Sequence, residues 1–135
     1  MKDYYFILAL HMEASMNKVE VQVDKIRSYQ TLTYKKGKGS FRTKEYKEYI
    51  RVISLQLGNL RAVERLKPLK VKLHFKCVNK TVGDLDNIEK PILDILQMCG
   101  KIPNDRQVVK KYSEKTFGHK NNSIEIEVDY EDINN

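Results

Sequence analysis

The stretch Val71–Val109, VKLHFKCVNKTVGDLDNIEKPILDILQMCGKIPNDRQVV, contains a change of hydrophobic period that decides the fold class. Up to Cys77 the period is two. Val71, Leu73, Phe75 and Cys77 are apolar and Lys72, His74 and Lys76 lie between them, the pattern of a strand with one buried face. After the polar connection Asn79–Gly83 the period lengthens. Ile88, Ile92, Ile95, Leu96 and Cys99 form one stripe of a helix from near Asn87 to Gly100, a glycine suited to the position after a helix end. Pro91 restricts that helix's start. A helix capped by Asp86 would put the proline past the first turn, where its ring clashes, so the boundary slips or the first turn is irregular.

Working outward, Val108–Thr116 and Ser123–Tyr130 alternate as two strands joined around Gly118–Asn122, a hairpin, and the polar tail from Glu131 is expected to fray. Upstream, Tyr4–Leu10 is a β-rich run, and Lys18–Ile26 alternates Val19, Val21 and Val23 with polar neighbours; a hairpin or a long crossover joins the two. The segment Tyr34–Arg42, YKKGKGSFR, has two glycines among its basic residues and reads as a mobile loop. Thr43 is a suitable N-cap for a helix in which Tyr46, Ile50, Ile53, Leu57 and Leu60 recur at helical spacing. Gly58 weakens its middle and Pro68 lies beyond its end. No internal repeat interrupts this order. It predicts an α+β fold, a single two-layer domain over residues 1–135 with mainly one β-sheet covered by two helices.

A chain of 135 residues fits one domain that buries roughly two-thirds of its unfolded surface. The N-terminal apolar run is about seven residues, too short to span a bilayer, so no membrane partner is expected. Cys77 and Cys99 show no Cys-x-x-Cys spacing, which argues against a zinc site and a disulfide framework and makes the cytoplasm the expected compartment. The 25 Lys and Arg against 18 Asp and Glu give a net charge of +7. That excess suits a polyanionic partner without proving one, so what matters is where acids gather within it.

They gather at Asp84 and Asp86. With Leu85 between them, an extended or turning segment can set both carboxylates on one side while Leu85 packs on the other. Such a pair suits a hard cation: Mg²⁺ takes carboxylate oxygens, water and substrate phosphate, and usually only one or two carboxylates from the protein. The helix that follows points its positive end at the pair. A third acid, Asp105, stands in the loop KIPND, and the chain would have to return it towards Asp84. The bland alternative is that Asp84 or Asp86 caps the helix, Asp105 makes a turn and Lys90 is a solvated helix residue. Calcium in a helix–loop–helix hand is excluded, because Glu89 stands where the loop needs glycine and Ile95 where it needs a bidentate glutamate.

The run Asp84 Leu85 Asp86 Asn87 Ile88 Glu89 Lys90, then an apolar helix, a glycine and Asn104 Asp105 Arg106 Gln107 Val108 Val109, resembles the signature of the RusA family of Holliday junction resolvases. The likeness is close over the 26 residues Asp84–Val109 and looser over Lys35–Leu57. It implies a RusA-like endonuclease that cuts four-way junctions by paired incisions, acts as a homodimer and uses Mg²⁺ or Mn²⁺. It also implies that cleavage requires Asp84, Asp86 and Asp105 at the metal and Lys90 at the scissile phosphate. One departure is Gly83, where the best-known member has arginine.

Within that reading, Lys35, Lys36, Lys38 and Arg42 in the basic loop, and Lys80 before the motif, are candidate phosphate contacts, each with solvated lysine or arginine as its ordinary alternative. Tyr4, Tyr5, Tyr34, Tyr46, Tyr49 and Tyr112 read as core or rim residues, with a junction-stacking ring among them as the alternative. His11, His74 and His119 pair with no aspartate at a recognisable spacing and read as bystanders. The N-terminal strand is a candidate dimer interface. Two other functions stay open at this point, a nuclease of flaps or ordinary duplex DNA and a non-enzymatic basic nucleic-acid-binding module.

Overall fold

The structure, a computed structural model, describes residues 16–132, so the expected strand Tyr4–Leu10 and His11 lie outside the described residues. Strand β1 is Lys18–Gln22, a short helix α1 is Tyr29–Leu32, and strands β2 (Thr33–Lys36) and β3 (Gly39–Arg42) follow. Helix α2 is Lys44–Ser54, strand β4 is Leu69–Lys76, and helix α3 is Leu85–Met98. A 3₁₀ turn, Asp105–Gln107, leads into β5 (Val108–Thr116), and β6 is Ser123–Tyr130. The fold is α+β, with a mixed four-stranded sheet in the order β1-β6-β4-β5 and a separate β2–β3 hairpin.

The alternation in β4 acts as the sequence predicts. Val71, Leu73, Phe75 and Cys77 are buried, and with Ile124, Ile126 and Val128 of β6 they meet Ile88, Ile92, Ile95 and Leu96 of α3 in one core. The sheet's opposite face is polar. Lys18 pairs with Glu125 at 3.0 Å and Lys72 with Glu127 at 3.8 Å on adjacent strands, and Lys76 of β4 reaches across β6 to Glu20 of β1 at 2.8 Å, so cations and anions offset one another there.

Long-range pairing departs from expectation at β5 and β6. They do not form a hairpin, because β4 lies between them, parallel to β5 and antiparallel to β6. Helix α3 makes the crossover that parallel pairing of β4 and β5 requires. Alternation had fixed which face each residue takes, which is indifferent to which strand lies alongside.

Three local expectations also change. The Tyr34–Arg42 loop is a two-stranded hairpin, with Lys36 opposite Gly39 and Gly37 at φ +63° in the turn between them. Helix α2 keeps its Thr43 cap, whose hydroxyl accepts from the Tyr46 amide at 3.1 Å, but ends at Ser54. Leu57 and Leu60 are buried beyond the helix, in turns where the Leu57 amide bonds Ser54 and the Leu60 amide bonds Leu57, so Gly58 is not a mid-helix residue. Glu131 is tied down rather than frayed: its amide donates to the Pro68 carbonyl and its carboxylate accepts from Lys110 at 3.1 Å.

Candidate active site

Helix α3 starts at Leu85, earlier than the stripe of isoleucines predicts, and Asp84 holds the N-cap position with an extended backbone, φ −61° and ψ 153°. Pro91 sits inside the helix, buried on its core side. Its missing N–H leaves the Asn87 carbonyl without the usual bond, and a complete apolar stripe outweighs that loss. The Asp84 carboxylate makes no capping bond. Asp86 stands in the first turn, Leu85 packs against the core, and both acids are exposed. At this helix start Leu85 is turned inward and the two acids are turned to solvent. The two acids sit where the helix dipole and free amides favour negative charge, with their oxygens uncommitted to any of the described residues.

Lys90 lies one turn further on. Its ammonium stands 4.8 Å from the centroid of the Tyr29 ring, an attraction to the ring's negative face that also orients the side chain. Tyr29 meets Tyr46 edge-on at 6.5 Å, and the Arg42 guanidinium lies over Tyr46 at 5.7 Å. This chain of contacts roots the basic hairpin, with Lys35, Lys36, Lys38 and Arg42, beside Lys90. Lys80 is exposed on the loop that leads from β4 to the motif.

Strand β5 adds three residues that sequence reasoning missed. Lys115 donates to the Gly83 carbonyl at 3.0 Å, holding the backbone just before Asp84. Glu89, only 7% exposed, pairs with Lys111 at 2.5 Å and accepts from the Ser113 hydroxyl at 2.5 Å. A buried carboxylate has to find such partners. The signal in the sequence was Glu89 itself, a charge on the buried side of an amphipathic stripe. Gly83 has a physical cause here: a Cβ would lie 3.0 Å from the Ser28 Cβ and 3.4 Å from Ile88, so a side chain would press α1's leading residue away from the motif.

Asp105 is placed differently. It opens the 3₁₀ turn beyond the far end of α3, a helix of 14 residues and so about 21 Å long. The described residues include no group of three or more His, Cys, Asp or Glu able to hold one metal ion. The turn is capped by Asn104, whose Oδ1 accepts from the Arg106 amide at 2.9 Å, leaving the exposed Asp105 carboxylate out of that task. Cys77 and Cys99 are free, and His74 and His119 share the hydroxyl of Thr116 at 2.8 and 2.6 Å. Among the described residues no helix is long and apolar enough to cross a membrane.

An acid pair on a helix N-terminus, ringed by lysines in an α+β domain, has the make-up of a phosphodiester-cleaving site. A family model described as endodeoxyribonuclease RusA matches residues 17–129, and the chain belongs to that family. Membership makes it an endodeoxyribonuclease and implies the resolution of Holliday junctions. No curated protein matches the chain.

Proposed function

We propose that the protein is a divalent-metal-dependent resolvase that cuts four-way junctions by paired incisions as a homodimer, with Asp84, Asp86 and Asp105 at the metal. The observation that carries this reading is that, among the described residues, the Asp84 and Asp86 carboxylates are exposed and uncommitted within the span matched by the family. Their oxygen donors suit Mg²⁺ or Mn²⁺, which fill the rest of their coordination with water and phosphate. When bound, the ion neutralises phosphate charge and activates water for attack on phosphorus. Lys90, held against Tyr29, orients the scissile phosphate and offsets the charge that develops on it. Lys115 fixes the backbone that carries Asp84, and Glu89 keeps Lys111 at the rim.

The position of Asp105 supports two chains rather than one. Among the described residues β5 is an edge strand, nine residues long, with Val109 and Tyr112 exposed. Asp105 precedes its start and Lys115, which touches Gly83, is near its end. Antiparallel pairing of two β5 edges about a two-fold axis brings Asp105 of the partner subunit towards Asp84 and Asp86, and gives two sites for symmetric cuts.

Nicking of a fixed four-way junction, beside matched duplex and with and without Mg²⁺, tests the activity. Cleavage of the junction only with metal is expected; EDTA-resistant or duplex-only cleavage overturns it. Mixing Asp84→Asn with Asp105→Asn protein tests the shared site. A mixed dimer then holds one site with all its acids, so nicking returns on mixing; if each chain holds its own site, the mixture stays inactive.

A further inference from the structure

The β2–β3 hairpin carries a feature that phosphate contacts leave unused. Its register sets Tyr34 opposite Phe41, and the rings stack with centroids 5.6 Å apart and planes 26° from parallel. They nevertheless stay 50% and 45% exposed. Alternation puts Tyr34 and Phe41 on one face of the hairpin and Thr33 and Arg42 on the other. The second face is turned to the body, where Arg42 covers Tyr46 and the Thr33 hydroxyl donates to the Tyr29 carbonyl at 3.1 Å. The first is turned outward. Gly39 keeps it clear, since a Cβ there would lie 2.9 Å from the Phe41 ring.

A cross-strand aromatic pair steadies a hairpin, which accounts for the pairing but not for its outward position among lysines. Flat exposed rings flanked by cations make a surface for nucleic-acid bases that are out of their stack, because every base offers a π face and every link a phosphate. The hairpin is rooted beside Lys90 through Tyr29 and Tyr46, and four residues per strand reach roughly 13 Å from that root. A continuous duplex has no free base face. A branch point has several, where helices part.

We infer that the Tyr34–Phe41 stack is a wedge that takes an unstacked DNA base at the branch point, with Lys36 and Lys38 on the flanking phosphates. The inference rests on the branched-DNA reading and says how the branch is told from plain duplex. The experiment uses the full chain, in Ca²⁺ in place of Mg²⁺ to hold back cleavage, on four-way junctions carrying 2-aminopurine at each branch-point position and on matched duplex. The variants are Tyr34→Leu/Phe41→Leu, which keeps apolar bulk without a flat face, and Tyr34→Trp/Phe41→Tyr, which keeps the rings.

Wild-type and ring-retaining protein are expected to change the 2-aminopurine fluorescence at a branch position. The leucine variant is expected to lose that change and roughly 10-fold or more in junction affinity, with duplex affinity within about twofold of wild type. If the leucine variant keeps the wild-type signal and preference, the wedge is overturned and the resolvase reading stands. If both variants lose the signal alike, the hairpin acts through its backbone and the wedge is again overturned. If the wild type itself shows no preference for junctions, the resolvase reading fails and takes the wedge with it.

Discussion

The hairpin and the open face of the sheet are both rich in lysine and answer opposite needs. On the sheet Lys18, Lys72, Lys76 and Lys110 each reach a glutamate, at 3.0, 3.8, 2.8 and 3.1 Å. On the hairpin Lys35, Lys36, Lys38 and Arg42 are exposed, and among the described residues none forms an ion pair. A net charge of +7 is therefore not a uniform coat. The sheet's cations are offset by neighbouring anions and contribute little field, while those of the hairpin are left for phosphates. Both regions are rich in cations, and what separates them is the set of glutamates that stands beside the sheet's lysines and has no counterpart in the hairpin.

The strongest contrast is expected when one acid is neutralised on each side. Asp84→Asn keeps the size of the side chain but removes a hard anionic ligand, so junction cleavage should fall by several orders of magnitude while gel-shift affinity holds or rises slightly. Glu127→Gln on the sheet should leave the cleavage rate within about twofold. Asp84→Asn that cuts at the wild-type rate would reduce the motif to a helix start. Lys90→Ala should also abolish most cleavage, with some loss of affinity because a cation is removed, and the same pair of assays reads it.

Affinity sharpens the comparison next. Removing one cation that neutralises a phosphate should lower the slope of log K against log salt by about 0.9, so Lys35→Gln/Lys36→Gln/Lys38→Gln should flatten it by up to about 2.7. Neutralising Lys18, Lys72 and Lys110 should leave it unmoved. Equal slopes for the two triple variants would mean that the hairpin is not part of the footprint.

Stability responds on a smaller scale. Lys111→Met strands the buried Glu89 with only the Ser113 hydroxyl, and chemical denaturation should show a loss of about 1–3 kcal/mol. Replacing Lys38, exposed on the hairpin, should cost less than about 0.5 kcal/mol. The smallest effect is in acid. Hydrogen bonds from Lys76 and Lys18 hold the Glu125 carboxyl at about 2, below its ordinary value of 4.5. A depressed carboxyl contributes stability that is complete above about pH 4.5 and is lost as pH falls through about 2. Melting temperature should decline across that window and do so less steeply in Glu125→Gln. Identical acid profiles would show that these pairs are too screened by water to matter.

The sequence by itself determined the elements that local periodicity encodes. The β4 alternation, the α3 stripe, the Thr43 cap and Gly100, which takes φ +71° after the helix, were all legible. So was the motif with Asp84, Asp86 and Lys90, because helix spacing alone keeps those three residues at one helix end. Tyr34 and Phe41, seven apart across Gly37, were a hairpin signal hidden under the basic residues around them. Only the tertiary structure decided that β4 separates β5 from β6, that the turn after α3 leaves Asp105 at the far end of the helix instead of returning it to Asp84, and that Lys111 and Lys115 return to the motif from β5. The physical reason is range. A residue's period fixes the face it turns to the core through contacts a few positions away, whereas strand neighbours and ion pairs are chosen by how whole elements pack, between residues that the chain keeps 20 or more positions apart.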